Sequence, residues 1–351
     1  MSNTINWKDL VLPHILNLQA YSSARDEFSG DAKVFLDANE NPFDDEQLNW
    51  NRYPDPLQKD IKNQLSEIKG IASENIFLGN GSDEAIDLLF RIFCKGGESN
   101  VITCPPTYGM YKVSSSIHNV ENIEVPLKED FQLDVNAILK AANEQSKMLF
   151  ICSPNNPTGN SLRKDDIQKL LENFRGIVII DEAYIDFSAQ KSWIHQLSNY
   201  SNLVVLQTLS KAWGLASARL GMAFANSELI KLLNKVKPPY NISGPSQKLV
   251  SKSLKNKNAF DNQVKVILAE RDKLNLKLQD IPGVKKVYST DANFILVKID
   301  EAKNIYKKLI TKGVVVRDRS NVKLCDDCLR ITVGTKLENK NLISALMEIS
   351  S

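Results

Sequence analysis

The chain has 351 residues, of which 42% are hydrophobic and 25% are charged, values typical of a globular protein with one or two domains. Its 44 basic and 42 acidic side chains nearly cancel, so the composition does not favour nucleic acid or an anionic membrane as partner. We find no apolar run as long as a membrane span and no secretory h-region within the first ten residues.

Five cysteines, an odd number, indicate free thiols in a reducing compartment, and we therefore expect a cytoplasmic protein. Cys325 and Cys328 form a CxxC pair, but the second pair that a zinc ribbon needs is missing. The three histidines are far apart in the sequence. We interpret the CxxC pair as structural or incidental and expect no metal site.

Short runs rich in Val and Ile alternate with longer amphipathic stretches over the first two thirds of the chain. The pattern predicts helices at 83–93 and 165–174, and strands at 100–103, 147–152, 176–181, 202–208 and 220–225. Alternating strands and helices predict crossover connections and a largely parallel sheet in an α/β fold. Continuous apolar runs suit strands that are buried on both faces.

The pattern changes after about residue 227. A long Lys-rich helix is predicted from 247 to about 279 with a break near Asn256, followed by a helix at 302–312 and strands at 284–288, 293–298, 313–317 and 328–333. We therefore expect a large domain at 31–255 and a small α+β domain at 256–351. Residues 1–30 are expected to form an arm that packs with the small domain.

A glycine-rich segment, GNGSDE at 79–84, opens the predicted helix at 83–93. Glycine lets the backbone approach a ligand closely, and the free N–H groups of a helix start can bind phosphate. A helix capped by Ser82 or Asp83 explains the same residues without a ligand. A dinucleotide fingerprint is disfavoured, because Glu84 stands where the third glycine would be.

Polar groups also follow three of the predicted strands, where ligands bind in open parallel sheets. SPNNPTG at 153–159 could be a plain turn, and Asp181 could be a cap, although a buried carboxylate would need a cationic partner. Lys211 is flanked by small residues, and desolvation there would lower its pKa and make it nucleophilic. Arg219 could be a surface charge or a forked phosphate donor. Together these groups are the set that pyridoxal-phosphate (PLP) chemistry needs.

These motifs resemble those of fold-type I PLP-dependent aminotransferases, and of the histidinol-phosphate aminotransferase branch in particular. The similarity extends from about residue 21 to 333. It is carried by the segments at 37–42 (DANENP), 52–56 (RYPDP), 79–84, 105–108 (PPTY), 153–159, 181–184 (DEAY), 208–221 and 329–334 (LRITVG). The resemblance implies a large domain with a mostly parallel sheet between helices and a smaller C-terminal domain.

The resemblance also implies roles toward the cofactor. Lys211 would hold PLP as a Schiff base and act as the catalytic base, Asp181 would pair with the protonated pyridine nitrogen, and Tyr108 would stack on the ring. Asn156 and Tyr184 would bond the phenolic oxygen. The remaining cofactor residues would hold the phosphate: Gly81, Ser82, Asp83, Ser210, Arg219 and, from the other subunit of a homodimer, Tyr53.

For the substrates, Arg330 resembles the arginine that binds the α-carboxylate of glutamate, while Tyr21 and Arg317 match positions that meet the substrate phosphate. Asn156 would also border the substrate. The implied reaction converts L-histidinol phosphate and 2-oxoglutarate into imidazole-acetol phosphate and L-glutamate, in histidine biosynthesis.

Other functions stay open at this point. An aromatic-amino-acid aminotransferase or a threonine-phosphate decarboxylase would share the same motifs. A PLP-binding regulator would need an added DNA-binding module, for which the resemblance leaves no room. A nucleotide-binding protein using residues 79–84 would leave Lys211 and Asp181 unexplained.

Overall fold

The computed structural model describes residues 6–21, 33–43 and 50–350. Its larger sheet has the order β1-β7-β6-β5-β4-β2-β3. The strands are β1 (Ile76–Asn80), β2 (Asn100–Thr103), β3 (Glu121–Glu124), β4 (Ser146–Cys152), β5 (Ile177–Asp181), β6 (Leu203–Thr208) and β7 (Leu220–Phe224). The predicted largely parallel sheet is confirmed, except that β7 runs antiparallel to both of its neighbours.

Both faces of this sheet are buried. Along β5, Val178 and Ile180 belong to one apolar cluster, whereas Ile177 and Ile179 belong to a second cluster on the opposite face. Successive side chains of a strand point to opposite faces, which explains why these strands read as continuous apolar runs. The surrounding helices are α1 (Pro13–Leu16), α2 (Lys59–Lys69), α3 (Ser82–Phe93), α4 (Met110–Ile117), α5 (Val135–Ala141), α6 (Lys164–Asn173), α7 (Ser227–Val236) and α8 (Gly244–Leu254).

The C-terminal part contains a smaller antiparallel sheet with the order β10-β11-β9-β8. Its elements are α9 (Lys257–Gln279), β8 (Val284–Val287), β9 (Phe294–Ile299), α10 (Ala302–Thr311), β10 (Arg317–Asp318), β11 (Cys328–Thr332) and α11 (Lys336–Ser350). The predicted break near Asn256 is confirmed, because the Asn256 side chain accepts a hydrogen bond from the Ala259 N–H and caps α9.

One predicted strand has the wrong bounds. The strand predicted at 313–317 is limited to Arg317–Asp318, because Gly313 has a positive φ of 73° and Val314 N–H donates to Leu309 O at the end of α10. In the described part of the N-terminal arm, residues 6–21, Trp7, Val11 and Ile15 insert into the apolar cluster around α3.

Some elements were not predicted at all. β3 is a short edge strand with partly exposed, polar residues, and β1 contains a glycine, so neither has a strong strand pattern. These omissions do not change the position of the strand ends that carry the predicted site.

Candidate active site

A cavity of about 720 Å³ lies where the carboxyl ends of β1, β4, β5 and β6 face the small sheet. It brings together most of the predicted site residues, which come from segments far apart in the sequence. Those that line it are Gly81, Ser82, Asp83, Tyr108, Asn156, Asp181, Tyr184, Ser210, Lys211, Arg219, Arg317 and Arg330. A cleft at the carboxyl ends of strands is the usual ligand site of an open α/β sheet.

One end of the cavity is formed by the start of α3. No side chain caps its first turn, and Gly81 has a positive φ of 78°. A Cβ at Gly81 would lie 2.8 Å from Arg219 Nη2, so only glycine lets the guanidinium approach this closely. With Ser210 on the cavity wall, these groups form a cationic, donor-rich end suited to a phosphate.

Asp181 ends the buried strand β5, and only 3% of its surface is exposed. Its carboxylate accepts hydrogen bonds from the Tyr111 hydroxyl at 2.7 Å and from the Ala183 N–H at 3.1 Å. Burial raises the pKa of Asp181 to about 6, and these two hydrogen bonds oppose the rise. A buried carboxylate of this kind would be stabilised by a cation in the cavity.

Lys211 lies in the turn between β6 and β7, which also aims Ser210 and Arg219 at the cavity. Partial desolvation and then the charge of Arg330 lower the pKa of its amine, while Asp181 opposes that shift. The Lys211 Nζ is 5.8 Å from the centre of the Tyr184 ring. Burial raises the pKa of the Tyr184 hydroxyl, so that group stays protonated and can donate a hydrogen bond.

The SPNNPTG segment forms a loop that is held in place by side-chain hydrogen bonds. The buried Asn155 donates to Pro106 O at 2.8 Å and to Thr158 Oγ1 at 2.7 Å, which fixes the backbone next to Asn156. Asn156 Oδ1 in turn accepts a hydrogen bond from Arg330 Nη1 at 2.5 Å. The loop thereby connects the end of β4 to the small sheet.

Tyr108 borders the same cavity, and its hydroxyl donates to Asp83 Oδ1 at 3.2 Å. Two predicted residues do not line the cavity. Tyr53 stacks on Tyr240 with ring centres 4.4 Å apart, beside a separate surface cavity, and Tyr21 is 72% exposed. Both are available for contacts outside this single chain.

Two cavity-side residues escaped the sequence reasoning. Tyr111, fully buried in α4, holds Asp181, and it follows the PPTY motif by three residues. Arg319 lines the cavity two residues after Arg317. The signal for it in the sequence is the spacing of two residues between Arg317 and Arg319, which places both side chains on one face of an extended segment.

The residues present fit PLP. The α3 start with Arg219 suits its phosphate, Asp181 suits a protonated ring nitrogen, and Lys211 supplies an amine for its aldehyde. Over the described ranges no cluster of three or more His, Cys, Asp or Glu could hold a metal, and Cys325 and Cys328 are buried free thiols. Nor does any helix in those ranges have the length and apolarity to cross a bilayer.

Comparisons with known proteins agree with this geometry. A family model described as aminotransferase class I and II matches residues 13–346. A histidinol-phosphate aminotransferase from Parabacteroides distasonis is 53% identical over 339 residues, covering 97% of each chain. Among solved structures, the histidinol-phosphate aminotransferase from Clostridium acetobutylicum has a TM-score of 0.79 at 24% identity, covering 86% of this chain and 91% of that one. The enzyme from Sinorhizobium meliloti, in complex with pyridoxal-5'-phosphate, has a TM-score of 0.79 at 22% identity, with 85% and 83% covered.

Proposed function

This chain belongs to the histidinol-phosphate aminotransferases within the class I and II aminotransferase family, and we propose that it transfers the amino group of L-histidinol phosphate to 2-oxoglutarate. The products are imidazole-acetol phosphate and L-glutamate, and the step belongs to histidine biosynthesis. The main support for the proposal is that Lys211, Asp181 and Arg219 line one cavity. The same cavity is also lined by three arginines of the small-sheet region, Arg317, Arg319 and Arg330.

PLP, when bound, supplies an electron sink for the negative charge that develops at the substrate Cα. Asp181, as a carboxylate, would keep a proton on the ring nitrogen and so maintain that sink. Lys211 would tether the cofactor, and its amine would take the proton from the substrate Cα. A lowered pKa favours this, because the neutral amine is the form that acts as a base.

The other cavity groups orient the reactants. Tyr108 would stack on the cofactor ring, and Asn156 and Tyr184 would hydrogen-bond its phenolic oxygen. Ser82, Asp83, Ser210 and Arg219 would hold its phosphate through backbone N–H groups, a hydroxyl and a guanidinium, and Gly81, whose own N–H donates to Arg219 O, would allow the close approach of the backbone. On the substrate side, Arg330 would bind the α-carboxylate of glutamate and Arg317 the phosphate of histidinol phosphate. Tyr21, which lies outside the cavity of its own chain, would meet that phosphate across the homodimer interface.

We further propose a homodimer in which Tyr53 reaches the cofactor phosphate of the partner subunit. Exposed apolar side chains in the segments that precede Tyr53 in the sequence support this, since exposed apolar surface marks interaction sites. They are Val34, Leu36, Phe43 and Trp50. Light scattering coupled to gel filtration should give twice the 39.4 kDa mass of one chain, and a monomeric active enzyme would contradict the shared site.

We also propose that the chain is divided into a large and a small domain and that it is located in the cytoplasm. The division into 31–255 and 256–351 is supported by the two sheets and by the helix break at Asn256. A cytoplasmic location is supported by five cysteines that are all free.

A single-turnover absorbance experiment tests the substrate. The PLP-loaded protein is mixed separately with histidinol phosphate, phenylalanine and threonine phosphate. Rapid bleaching of the cofactor band by histidinol phosphate alone, reversed by 2-oxoglutarate, is expected. Bleaching only by phenylalanine would move the protein to the aromatic aminotransferases, and carbon dioxide release from threonine phosphate would make it a decarboxylase.

A further inference from the structure

Three arginines project from one face of the small sheet. In the β10–β11 ladder Arg317 lies opposite Arg330, and partners in an antiparallel pair share a face. The Arg319 N–H donates to Cys328 O, which continues the same ladder by two residues. Residues two apart on a strand point to the same side, so Arg319 joins Arg317 and Arg330 on the cavity face. All three line the cavity, while Asp318 between them does not.

These guanidinium groups are incompletely satisfied by the protein. The Nε atoms of Arg319 and Arg330 are buried and have no hydrogen-bond partner. Within the described part of the chain, none of the three arginines forms an ion pair with a carboxylate. Buried donors left unpaired are costly, and clustered like charges add to that cost. An anion in the cavity would accept hydrogen bonds from the unpaired donors and would offset the repulsion between the positive charges.

The position of Arg319 is on the substrate side of the cavity. Burial lowers the pKa of Arg319, and the charges of Arg330 and Arg317 lower it further. Burial raises the pKa of Tyr184, and the positive charges of Arg330 and Arg319 are among those that oppose this rise. Arg319 therefore acts on the same region as Arg330, whereas Arg219 stands at the opposite, helix-start end.

We infer that Arg319 is a specificity-determining residue that binds the substrate phosphate together with Arg317. This inference rests on the proposed function. A dicarboxylate needs two fixed guanidinium groups, one for each carboxylate. A phosphate monoester carries a second negative charge on the same group, and the guanidinium of Arg319 supplies the additional positive charge for it. The forked guanidinium is the preferred donor for such a group.

The experiment compares Arg319→Gln and Arg319→Lys with wild type, using Arg163→Gln as the control. Arg163 is an exposed arginine paired with Asp130, so its replacement removes the same charge away from the cavity. Steady-state kinetics give KM for histidinol phosphate and for glutamate, and inorganic phosphate serves as a competing anion against glutamate. Melting by circular dichroism checks that each variant folds.

For Arg319→Gln we expect KM for histidinol phosphate to rise roughly tenfold or more, because one charge-assisted contact is lost. Inhibition by inorganic phosphate should weaken by a similar factor, while KM for glutamate should change by less than about threefold. Arg319→Lys should fall between wild type and Arg319→Gln, because it keeps the charge but loses the fork.

Equal changes for both substrates, or unchanged phosphate inhibition, would overturn the inference. If Arg319→Gln does not fold, Arg319→Lys decides between these results. If wild type does not accept histidinol phosphate, the proposed function fails, and phosphate inhibition of the variants alone then decides the role of Arg319.

Discussion

The two walls of the cavity are built in opposite ways. On the cofactor side, two of the polar groups already have protein partners: Asp181 is held by Tyr111 and Ala183, and the Gly81 N–H donates to Arg219 O at 2.7 Å. On the substrate side, Arg319 and Arg330 each retain a buried Nε without a partner. The first wall is preorganised for one permanent group. The second leaves donor capacity for anions that enter and leave in every cycle.

The walls also come from different parts of the fold. The cofactor side consists of the carboxyl ends of the large-sheet strands, whereas the substrate side is one face of a short two-strand ladder. Substitutions on the first wall should therefore change cofactor binding and chemistry. Substitutions on the second should change substrate KM and leave the cofactor bound.

The largest effect is expected for Lys211→Ala, which removes both the tether and the base. Turnover should fall by roughly 10⁴-fold or more, at and beyond the upper range for a general base. Lys191→Ala, at an exposed lysine, is the control. The measurement is kcat with excess PLP, and ordinary turnover by Lys211→Ala would remove the basis for the assigned chemistry.

Arg330→Gln probes the opposite wall. The loss of a charge-assisted contact should raise KM for glutamate by roughly 10- to 100-fold. The dissociation constant of PLP, measured by fluorescence titration of the cofactor-free protein, should stay within about twofold of wild type. Exposed Arg175→Gln is the control. A parallel loss of PLP affinity in Arg330→Gln would mean that the two walls are not separate.

Gly81→Ala should weaken PLP binding by about tenfold. The new Cβ would meet Arg219 Nη2 at 2.8 Å, and alanine is strained at φ 78°, a penalty of order 1–2 kcal/mol. The control is Gly109→Ala. Gly109 lines the same cavity, but a Cβ at this position would have no atom within 4 Å. Equal PLP affinities of the two variants would contradict a close-approach role for Gly81.

Tyr111→Phe should produce the smallest effect, a shift in pH dependence. Tyr111 donates to Asp181 and opposes the burial that raises its pKa to about 6, so its removal should raise that pKa further. PLP binding needs the carboxylate, and affinity should therefore fall as pH decreases through a midpoint that is higher than in wild type. Tyr306→Phe, in the small-sheet core, is the control.

The stability of the cofactor-free protein gives a second readout of the same group. The folded pKa of Asp181 lies above the unfolded value of about 3.9, so its contribution to stability is full below about pH 4 and is lost as pH rises through about 6. In Tyr111→Phe this loss should extend to higher pH. Identical curves for the two proteins would show that Tyr111 does not control Asp181.

The sequence was most informative on the cofactor wall, because each group there follows its strand directly. Asp181 ends a buried apolar run, and Lys211 lies in the turn after the next strand. Such local patterns can be recognised without knowing which strands pair with each other. The antiparallel direction of β7 was not foreseen, since an apolar run has no direction of its own.

The substrate wall depends on register, which a single sequence does not specify. Arg319 reaches the cavity only because segment 317–319 pairs with 328–330, and the strand predicted there was longer than the one that forms. Tyr111 was missed for a similar reason, because its contact with Asp181 joins residues 70 positions apart. The helix break at Asn256, in contrast, was predictable because its capping hydrogen bond spans three residues.

The most direct test of the central claim is to locate the cofactor on the chain. The PLP-loaded protein is reduced with borohydride, digested and examined by mass spectrometry. We expect one pyridoxyl group on Lys211 and none after prior removal of PLP. A pyridoxyl group mainly on another lysine, or no retained group in the wild-type protein, would contradict it.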